Sequence, residues 1–408
     1  MQLSVEKIVR IAFFFLLLFF AAACASQMLL MENSFLVTNY NRYFLILAFL
    51  AWAAAAVALC VLPGFKVYTM PFTVTAYLVY SLWVVFPSIL ITTTQESFVM
   101  RIVDVGMPIV VLALSYTVAR NYGHSQSSQL AFLALGVVCA FQFVRVMFDF
   151  SAIAEESHLV CAYFVMYALP LMMLVKQKVL RILLAMAVLI VIFASFKRGG
   201  LIALAFGLIA YLVTMQLIAN KMSVGSILIG MVVLAVFVII FILLGTSGDT
   251  TVFDRFENMG SNDTGSGRTL VWPVTLEMIE NSDALGLLFG HGSGAVQMDS
   301  PIMLSAHNDF LEITYDYGLL GLALYVVAFV SLGFYILRMI REKSPYAPSM
   351  VLLYAVYGIL SLISHVAIYY WMSVVLLTVG YCIGCNRHDA ILSEQTLETL
   401  KPEHAVNE

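Results

Sequence analysis

Charged side chains are scarce in this sequence of 408 residues. Asp, Glu, Lys and Arg together make up 11% of the chain, whereas 62% of the residues are hydrophobic and the mean hydropathy is +0.98. A soluble globular domain carries about 25% charged residues, so this composition excludes that class. The apolar runs are continuous and do not alternate with polar residues, which argues against a transmembrane β-barrel. The composition therefore predicts a polytopic α-helical membrane protein.

Cysteines are also few. All six fall in or beside apolar runs, which argues against a disulfide framework. Cys382 and Cys385 have the spacing of a redox or zinc pair, but no second pair lies nearby, and we predict no metal site and no cofactor. The sequence lacks a visible repeat or low-complexity tract. Its net charge of −4 is small, and no nucleic-acid partner is predicted.

Twelve apolar runs are candidates for transmembrane helices, so the predicted fold is an all-α polytopic membrane protein of about 12 spans. The first run follows two basic residues as in a signal peptide, but the many later runs favour a retained helix. The predicted spans are residues 9–31, 43–63, 68–92, 102–119, 129–149, 158–175, 182–196, 201–219, 224–246, 319–337, 349–364 and 366–384.

Lysine and arginine are distributed unevenly between the two sides that these spans define. With the N-terminus inside, thirteen fall in the cytoplasm and six outside, which predicts that both termini are cytoplasmic. Residues 247–318 then form one large periplasmic loop with short helices, and this loop holds eleven acidic residues. The predicted parts are an N-terminal bundle of about nine helices over 1–246, this loop, C-terminal helices over 319–386, and a cytoplasmic tail over 387–408.

Four of the cations that lie outside or within a span are candidates for a functional role. Arg145 lies near the outer end of its span, Lys197 and Arg198 lie at an outer helix turn, and Arg268 lies in the loop. A basic residue in a membrane helix costs about 2.5 kcal/mol or more at the centre, which suggests a purpose. The alternatives are that Arg145 pairs with Asp149 for packing and that Arg198 is a misplaced topological charge.

A polar cluster ends the loop, in the stretch LSAHNDFLEITYDYGLLGL at residues 304–322. His307 is followed by a predicted helix that leads into the next span. Asn308 could be the N-cap of this helix, and the carboxylates could simply be favourable charges near its N-terminus. Two neighbouring faces are predicted, with His307, Phe310 and Leu311 on one and Asp309, Glu312 and Asp316 on the other.

Two further elements are predicted upstream in the loop. The stretch TLVWPVTLEMIENS can form a short amphipathic helix with Pro273 in its first turn. The stretch LGLLFGHGSG has glycines at 286, 290, 292 and 294, which could bring backbone amides close to a ligand.

Three segments, in this order, resemble the bacterial O-antigen ligase/O-antigen polymerase family. They are SFKRGGLIAL at the outer turn, GSGRTLVWPVTLEMIENSDALGLLFGHGSG in the loop, and AHNDFLEITYDYGLLGLALY leading into the next span. The sequence departs from the family pattern at Ala284, Leu285 and Gly286, where a proline often precedes the glycine turn. The conformation of that turn is therefore not fixed by the resemblance.

The resemblance implies an integral-membrane glycosyltransferase with a GT-C-like fold in the bacterial inner membrane. Its donor would be an oligosaccharide linked to undecaprenyl diphosphate. Its acceptor would be a sugar hydroxyl, either on lipid A–core, as for a ligase, or on a lipid-linked repeat, as for a polymerase. Membrane lipids are expected partners, and a chain-length regulator is a further candidate. Polymerase is slightly favoured because no dedicated surface for lipid A–core is evident.

The residue types suit this chemistry. A diphosphate leaving group carries about two negative charges, which cations can stabilise, and Arg198, Arg268, Arg145 and Lys197 are the candidates. No Asp-x-Asp pair is present, which favours a metal-independent reaction. The acceptor hydroxyl needs a general base, and His307 is the best candidate by residue type.

The assignment of the base leaves alternatives open. Glu312 or Asp309 is a reserve base, with Asn308 and Asp309 in supporting positions. Alternatively, His307 binds the diphosphate and a carboxylate acts as base. A twelve-helix secondary transporter is a competing function, but the charges cluster at one face instead of the membrane midplane. A third candidate function is that of a cell-wall polymerase of the shape/division type. The His-Asn-x-Phe-Leu element of this sequence does not fit that type.

Overall fold

A computed structural model describes residues 4–29, 34–62, 64–90, 98–134, 136, 161–194, 198–219, 268–364, 366 and 371–399. In this part of the chain the residues form helices and the turns that join them. The helices are α1 (Val5–Leu29), α2 (Ser34–Cys60), α3 (Phe72–Leu90), α4 (Phe98–Tyr122), α5 (Cys161–Met172), α6 (Lys178–Ala194), α7 (Arg198–Ala219), α8 (Arg268–Glu280), α9 (Ala284–Phe289), α10 (Ala295–Asp299), α11 (Asp309–Arg341), α12 (Ala347–Ile363) and α13 (Trp371–Thr399).

Several helices have the length and hydropathy of membrane spans. Among the described residues, the segments that meet both criteria are Phe72–Ile89, Ile102–Tyr122, Gly199–Ala219 and Asp309–Arg341. This agrees with an all-α, multi-pass membrane protein. The predicted span 224–246 lies outside the described residues, and most of the predicted span 129–149 does as well. The number of twelve spans and the periplasmic position of the loop therefore stay predictions.

Helices α4 and α13 pack closely along their lengths. Gly380 and Gly384 lie one turn apart on the side of α13 that meets α4, where a Cβ would come within 2.7 Å of the Leu112 carbonyl and 2.6 Å of the Tyr116 carbonyl. Small residues at this spacing let membrane helices approach through van der Waals contact. The CIGC stretch lies within this helix, and its two cysteines are buried free thiols.

Residues 268–308, which the topology predicts to lie outside the membrane and which are called the outer segment below, share a small core with the N-terminal part of α11. Val271 of α8, Ala295 and Val296 of α10, Ala306 and Tyr315 are buried together. Helix α8 begins at Arg268, earlier than the sequence suggested, so Pro273 lies in its second turn and not its first. Helices α8, α9 and α10 all contact the N-terminal part of α11. Helix α11 is therefore the scaffold that joins the outer segment to the membrane helices.

Helix α11 differs from its predicted form at two points. It begins at Asp309 with Asn308, in extended backbone angles, as its N-cap, so His307 lies outside the helix. The prediction that His307 shares a helical face with Phe310 and Leu311 is therefore wrong. A kink interrupts the helix at Gly318, whose φ is 73°. The kink directs the acidic N-terminal part of α11 out of line with the apolar part that follows.

Candidate active site

Several predicted site residues meet at the C-terminal end of α12. Asn308 donates a hydrogen bond from Nδ2 to the carbonyl oxygen of Leu362 at 3.0 Å. Arg268 donates one from its guanidinium group to the carbonyl oxygen of Ile363 at 2.6 Å. The last carbonyls of a helix lack intrahelical partners and carry partial negative charge, which favours a cation beside them. The N-termini of α8 and α11 are thereby brought to one place.

The residues that follow α12 are held from other sides. The buried carboxylate of Asp309 accepts a hydrogen bond from the backbone N–H of Val366 at 2.8 Å and one from the Tyr325 hydroxyl at 3.5 Å. The side chain of Tyr163 on α5 lies beside Ser364. Residues 362–364 and 366 are thus contacted by α5, α8 and α11 together.

Helix α8 also fixes the residue that precedes His307. Trp272, one turn beyond Arg268, donates its Nε1 hydrogen to the carbonyl oxygen of the buried Ala306 at 2.9 Å. Because Arg268 and Trp272 lie on successive turns, one face of α8 contacts both α12 and the chain before α11. This face sets the distance between two of the candidate catalytic residues, Arg268 and His307.

His307 adopts a backbone conformation that side chains disfavour. Its φ is 50°, in the left-handed region, and its side chain is half-buried. On its C-terminal side, Asn308 Oδ1 accepts hydrogen bonds from the N–H groups of Phe310 at 3.0 Å and Leu311 at 3.1 Å. A left-handed non-glycine residue costs about 1–2 kcal/mol, and such strain is concentrated at functional sites. The neighbours of His307 therefore hold it in place against a conformational penalty.

The N-terminus of α7 reaches the same place through its backbone. Gly199 packs against the side chain of Ile363 so closely that a Cβ would collide with it. The first turn of α7 therefore lies beside the residue whose carbonyl Arg268 binds. Lys197, Arg145 and the side chain of Arg198 lie outside the described residues. Their predicted contacts with a diphosphate stay predictions.

The three acidic residues of α11 are all buried but have different surroundings. Asp309 binds the segment after α12, as described above. Asp316 accepts backbone hydrogen bonds from Gly294 at 2.7 Å and Val296 at 3.0 Å. Glu312 Oε2 has no hydrogen-bond partner within the described part of the chain. Asp316 thus positions the glycine loop, while Glu312 is the carboxylate still available for a chemical role.

The glycine loop packs directly on the backbone of α11. Gly290 has a φ of 85°, and a Cβ on it would collide with the Asp316 carbonyl, while a Cβ on Gly318 would collide with the Leu288 carbonyl. The N–H of Gly292 donates to the Asp316 carbonyl at 2.9 Å. The prediction that these glycines present amides to a ligand is wrong for the amides that bind Asp316, because they are used inside the protein.

Sequence reasoning missed the segment at 362–366 and Tyr163. The signal in the sequence was the polar pair Ser364 and His365, of which only His365 was interpreted as the gap between two predicted spans. His365 lies outside the described residues. Within the described part of the chain, no three His, Cys, Asp or Glu residues are placed to hold a metal ion.

A comparison with protein families bears on the functions that the sequence left open. Residues 182–326 match the family model described as O-antigen ligase. This stretch of the chain is therefore similar to that family. The resemblance inferred from the sequence motifs is confirmed, and it supports a ligase- or polymerase-type glycosyltransferase in general. A search of curated proteins finds no match.

The matched residues cover most of the candidate site. They include α7, α8, the glycine loop and the first half of α11, and therefore Arg198, Arg268 and His307. Arg145 and residues 362–366 lie outside the match. The residues that receive the hydrogen bonds of Arg268 and Asn308 thus come from beyond the matched residues.

Proposed function

We propose that this protein is an inner-membrane glycosyltransferase that assembles surface polysaccharide. It moves a glycan from undecaprenyl diphosphate to a sugar hydroxyl, with the large loop in the periplasm and both termini in the cytoplasm. The observation that carries the proposal is the convergence of Arg268, Asn308 and the start of α7 on the end of α12, beside the strained His307. The O-antigen ligase match supports the same reaction type.

The cationic side of the site suits a diphosphate leaving group. Arg268 is fixed at the N-terminus of α8, and Arg198 begins α7. Helix N-termini carry partial positive charge and unpaired N–H groups, which favour phosphate oxygens. Guanidinium groups match those oxygens in pairs. Arg268 and Arg198, with Lys197 and Arg145 as further candidates, would stabilise the charge that develops as the glycosidic bond breaks.

His307 would supply the general base. The acceptor hydroxyl oxygen attacks the anomeric carbon of the donor sugar, and its proton passes to an imidazole nitrogen of His307. The bond between the anomeric carbon and the phosphate oxygen breaks, and its electron pair leaves with undecaprenyl diphosphate. Glu312 is the reserve base. In the alternative arrangement His307 binds the diphosphate and Glu312 takes the proton.

The test of the mechanism separates the charge of Arg268 from its hydrogen bond to Ile363. Arg268→Gln retains an N–H donor for the carbonyl but removes the charge, whereas Arg268→Lys retains the charge. We expect Arg268→Gln and His307→Ala to lower transfer by about a hundredfold or more while the protein still inserts in the membrane. Arg268→Lys should keep a measurable part of the activity.

Lipopolysaccharide gels and transfer by purified protein would measure the effect. Arg338→Ala, an exposed arginine at the other end of α11 that pairs with Glu342, is the matched control and should behave as wild type. Normal long-chain ladders in His307→Ala or Arg268→Gln cells would overturn the assignment. Transfer should also persist in excess chelator, and a chelator-sensitive enzyme would contradict the metal-independent mechanism.

We favour polymerase over ligase as the acceptor specificity. The pattern on a deletion-strain gel distinguishes them, because single repeat units can still reach lipid A–core when only polymerisation is lost. A single-repeat band therefore indicates a polymerase, whereas bare lipid A–core with accumulated lipid-linked polymer indicates a ligase. A requirement for a chain-length regulator would agree with the polymerase.

A further inference from the structure

A polar groove lies in the outer segment, away from the end of α12. It is an open cavity of about 590 Å³ between α8, the glycine loop and the N-terminal part of α11. Its polar lining comprises Glu277, Asn281, Ser282, Asp283, His291 and Tyr315, and three apolar residues complete it. None of its lining residues is among those to which we assign a role in transfer.

The charge of the groove disfavours a phosphate group as its ligand. Glu277 and Asp283 are its charged lining residues, and no lysine or arginine of the described part of the chain lines it. An anionic ligand would be repelled here, in contrast to the site formed by Arg268. Carboxylate and amide oxygens accept hydrogen bonds from hydroxyl and amino groups. A neutral or amino-substituted sugar carries these donors and no negative charge.

The shape and rigidity of the groove also suit a sugar. His291 stacks on Tyr315 with ring centroids 4.3 Å apart, and Ser282 Oγ lies 2.9 Å from His291 Nε2. The Tyr315 hydroxyl donates to Asp299 at 3.0 Å, which fixes the ring. Ligand sites of this kind combine apolar and aromatic surface with a few placed polar groups. The groove thus combines a fixed pair of aromatic rings with carboxylate and amide acceptors.

The groove is connected to the proposed transfer site by two helices. Glu277 lies nine residues after Arg268 on α8, and Tyr315 lies seven residues after Asn308 on α11. At 1.5 Å per residue, these separations are about 14 Å and about 10 Å along the helices. If the reacting end of a glycan lies beside Arg268, the sugars a few units from that end would therefore lie in the groove.

We infer that this groove, lined by Glu277, Asn281, His291 and Tyr315, binds an uncharged or amino-substituted stretch of a glycan chain beside the transfer site. The inference rests on the proposed function, because it takes the ligand to be a substrate glycan of that site. Both the donor and the acceptor carry such a chain. The groove would select which repeat structure is accepted, while the arginines and His307 carry out the transfer.

Binding to full-length protein in detergent tests this directly. The probes are two oligosaccharides from the host strain, one released by mild acid from its long-chain surface polysaccharide and one from lipid A–core that carries no polymer. Saturation-transfer NMR measures the affinity of each. The test variant is Glu277→Gln with Asn281→Ala, two exposed positions, the first on α8 and the second directly after it. The matched control is Glu280→Gln, an exposed residue of the same helix that does not line the groove.

We expect at least one oligosaccharide to bind wild type and Glu280→Gln alike. It should bind the double variant about tenfold more weakly, because Glu277→Gln removes the charge from one hydrogen bond and Asn281→Ala removes a second hydrogen bond. The probe that binds identifies the source of the glycan. Failure of both probes to bind wild type, or equal binding by the double variant, would overturn the inference.

A transfer assay keeps the two proposals separable. Arg268→Gln should still bind the oligosaccharide, because Arg268 does not line the groove. If wild type transfers glycan but the double variant shows no rise in KM, the groove proposal fails and the proposed function stands. If wild type binds the oligosaccharide through the groove but transfers nothing, the groove stands as a sugar site and the proposed function fails.

Discussion

At the scale of single residues, the strained backbone of His307 is the strongest sign of chemistry in the outer segment. Met303 provides a comparison, since it is an exposed residue with a similar φ of 53°. Asn308 caps α11, Trp272 holds Ala306, and together they fix His307 between them. A residue with a purely structural role at this position would be better replaced by glycine, which adopts positive φ without penalty.

Glycine substitution at His307 therefore separates strain from function. His307→Gly should be more stable than His307→Ala by about 1 kcal/mol, since alanine keeps the left-handed penalty, yet both should lose transfer activity. Thermal unfolding in detergent and a transfer assay measure the two effects. Met303→Gly is the control and should gain stability while keeping full activity. Activity in His307→Gly close to wild type would show that the side chain is dispensable.

Single-residue roles could be predicted where they depend on neighbouring residues in the sequence. They stayed open where they depend on packing against distant residues. Asn308 was foreseen as a possible N-cap because the capping preference belongs to the residue and its immediate neighbours. That Asp316 binds the glycine loop, whereas Glu312 keeps an oxygen without a partner, depends on residues some 20 positions away. No periodicity along α11 distinguishes these two carboxylates.

At the scale of elements, the site depends on a contact between the glycine loop and α11. The turn around Leu288 and Gly290 packs on the backbone from Asp316 to Gly318, so that α9 and the kink in α11 require each other. Most helices of the described membrane part lie close to a predicted apolar run. Such runs can be predicted because about twenty apolar residues form a span without a distant partner. The kink was not predicted, because it arises from this contact between distant backbones.

A pair of glycine substitutions tests that contact. Gly290 and Gly294 have similar φ values of 85° and 74°, but a Cβ on Gly294 would meet nothing within 4 Å. Alanine at either position should cost about 1–2 kcal/mol for the left-handed backbone. Gly290→Ala should cost more, because it also displaces the loop from Asp316. Thermal unfolding and hydrogen exchange of the loop would measure this, and equal effects of the two substitutions would contradict the role of the contact.

At the scale of the whole molecule, the charges at the two ends of α11 predict its orientation. The segment that precedes α11 carries acidic residues, and the other end carries Arg338 and Arg341. The positive-inside rule predicts that the latter end lies in the cytoplasm. The family resemblance and the helical class followed from sequence, because both depend on motifs and composition. The meeting of α5, α7, α8 and α12 did not, since nothing in the order of the chain relates these helices to one another.

Cysteine accessibility tests this orientation and, with it, the proposed side of the reaction. Glu280 of α8 and Glu342 after α11 are both exposed, so Glu280→Cys and Glu342→Cys should fold normally in a background without the native cysteines. In intact spheroplasts, a membrane-impermeant maleimide should label Glu280→Cys at once and Glu342→Cys only after permeabilisation. The donor diphosphate lies in the outer leaflet under the proposed function, so Arg268 must share the side of Glu280. Labelling in the reverse order would place Arg268 on the cytoplasmic side, where it could not contact a diphosphate in the outer leaflet. That result would contradict the proposed function independently of the gels of the His307 variants.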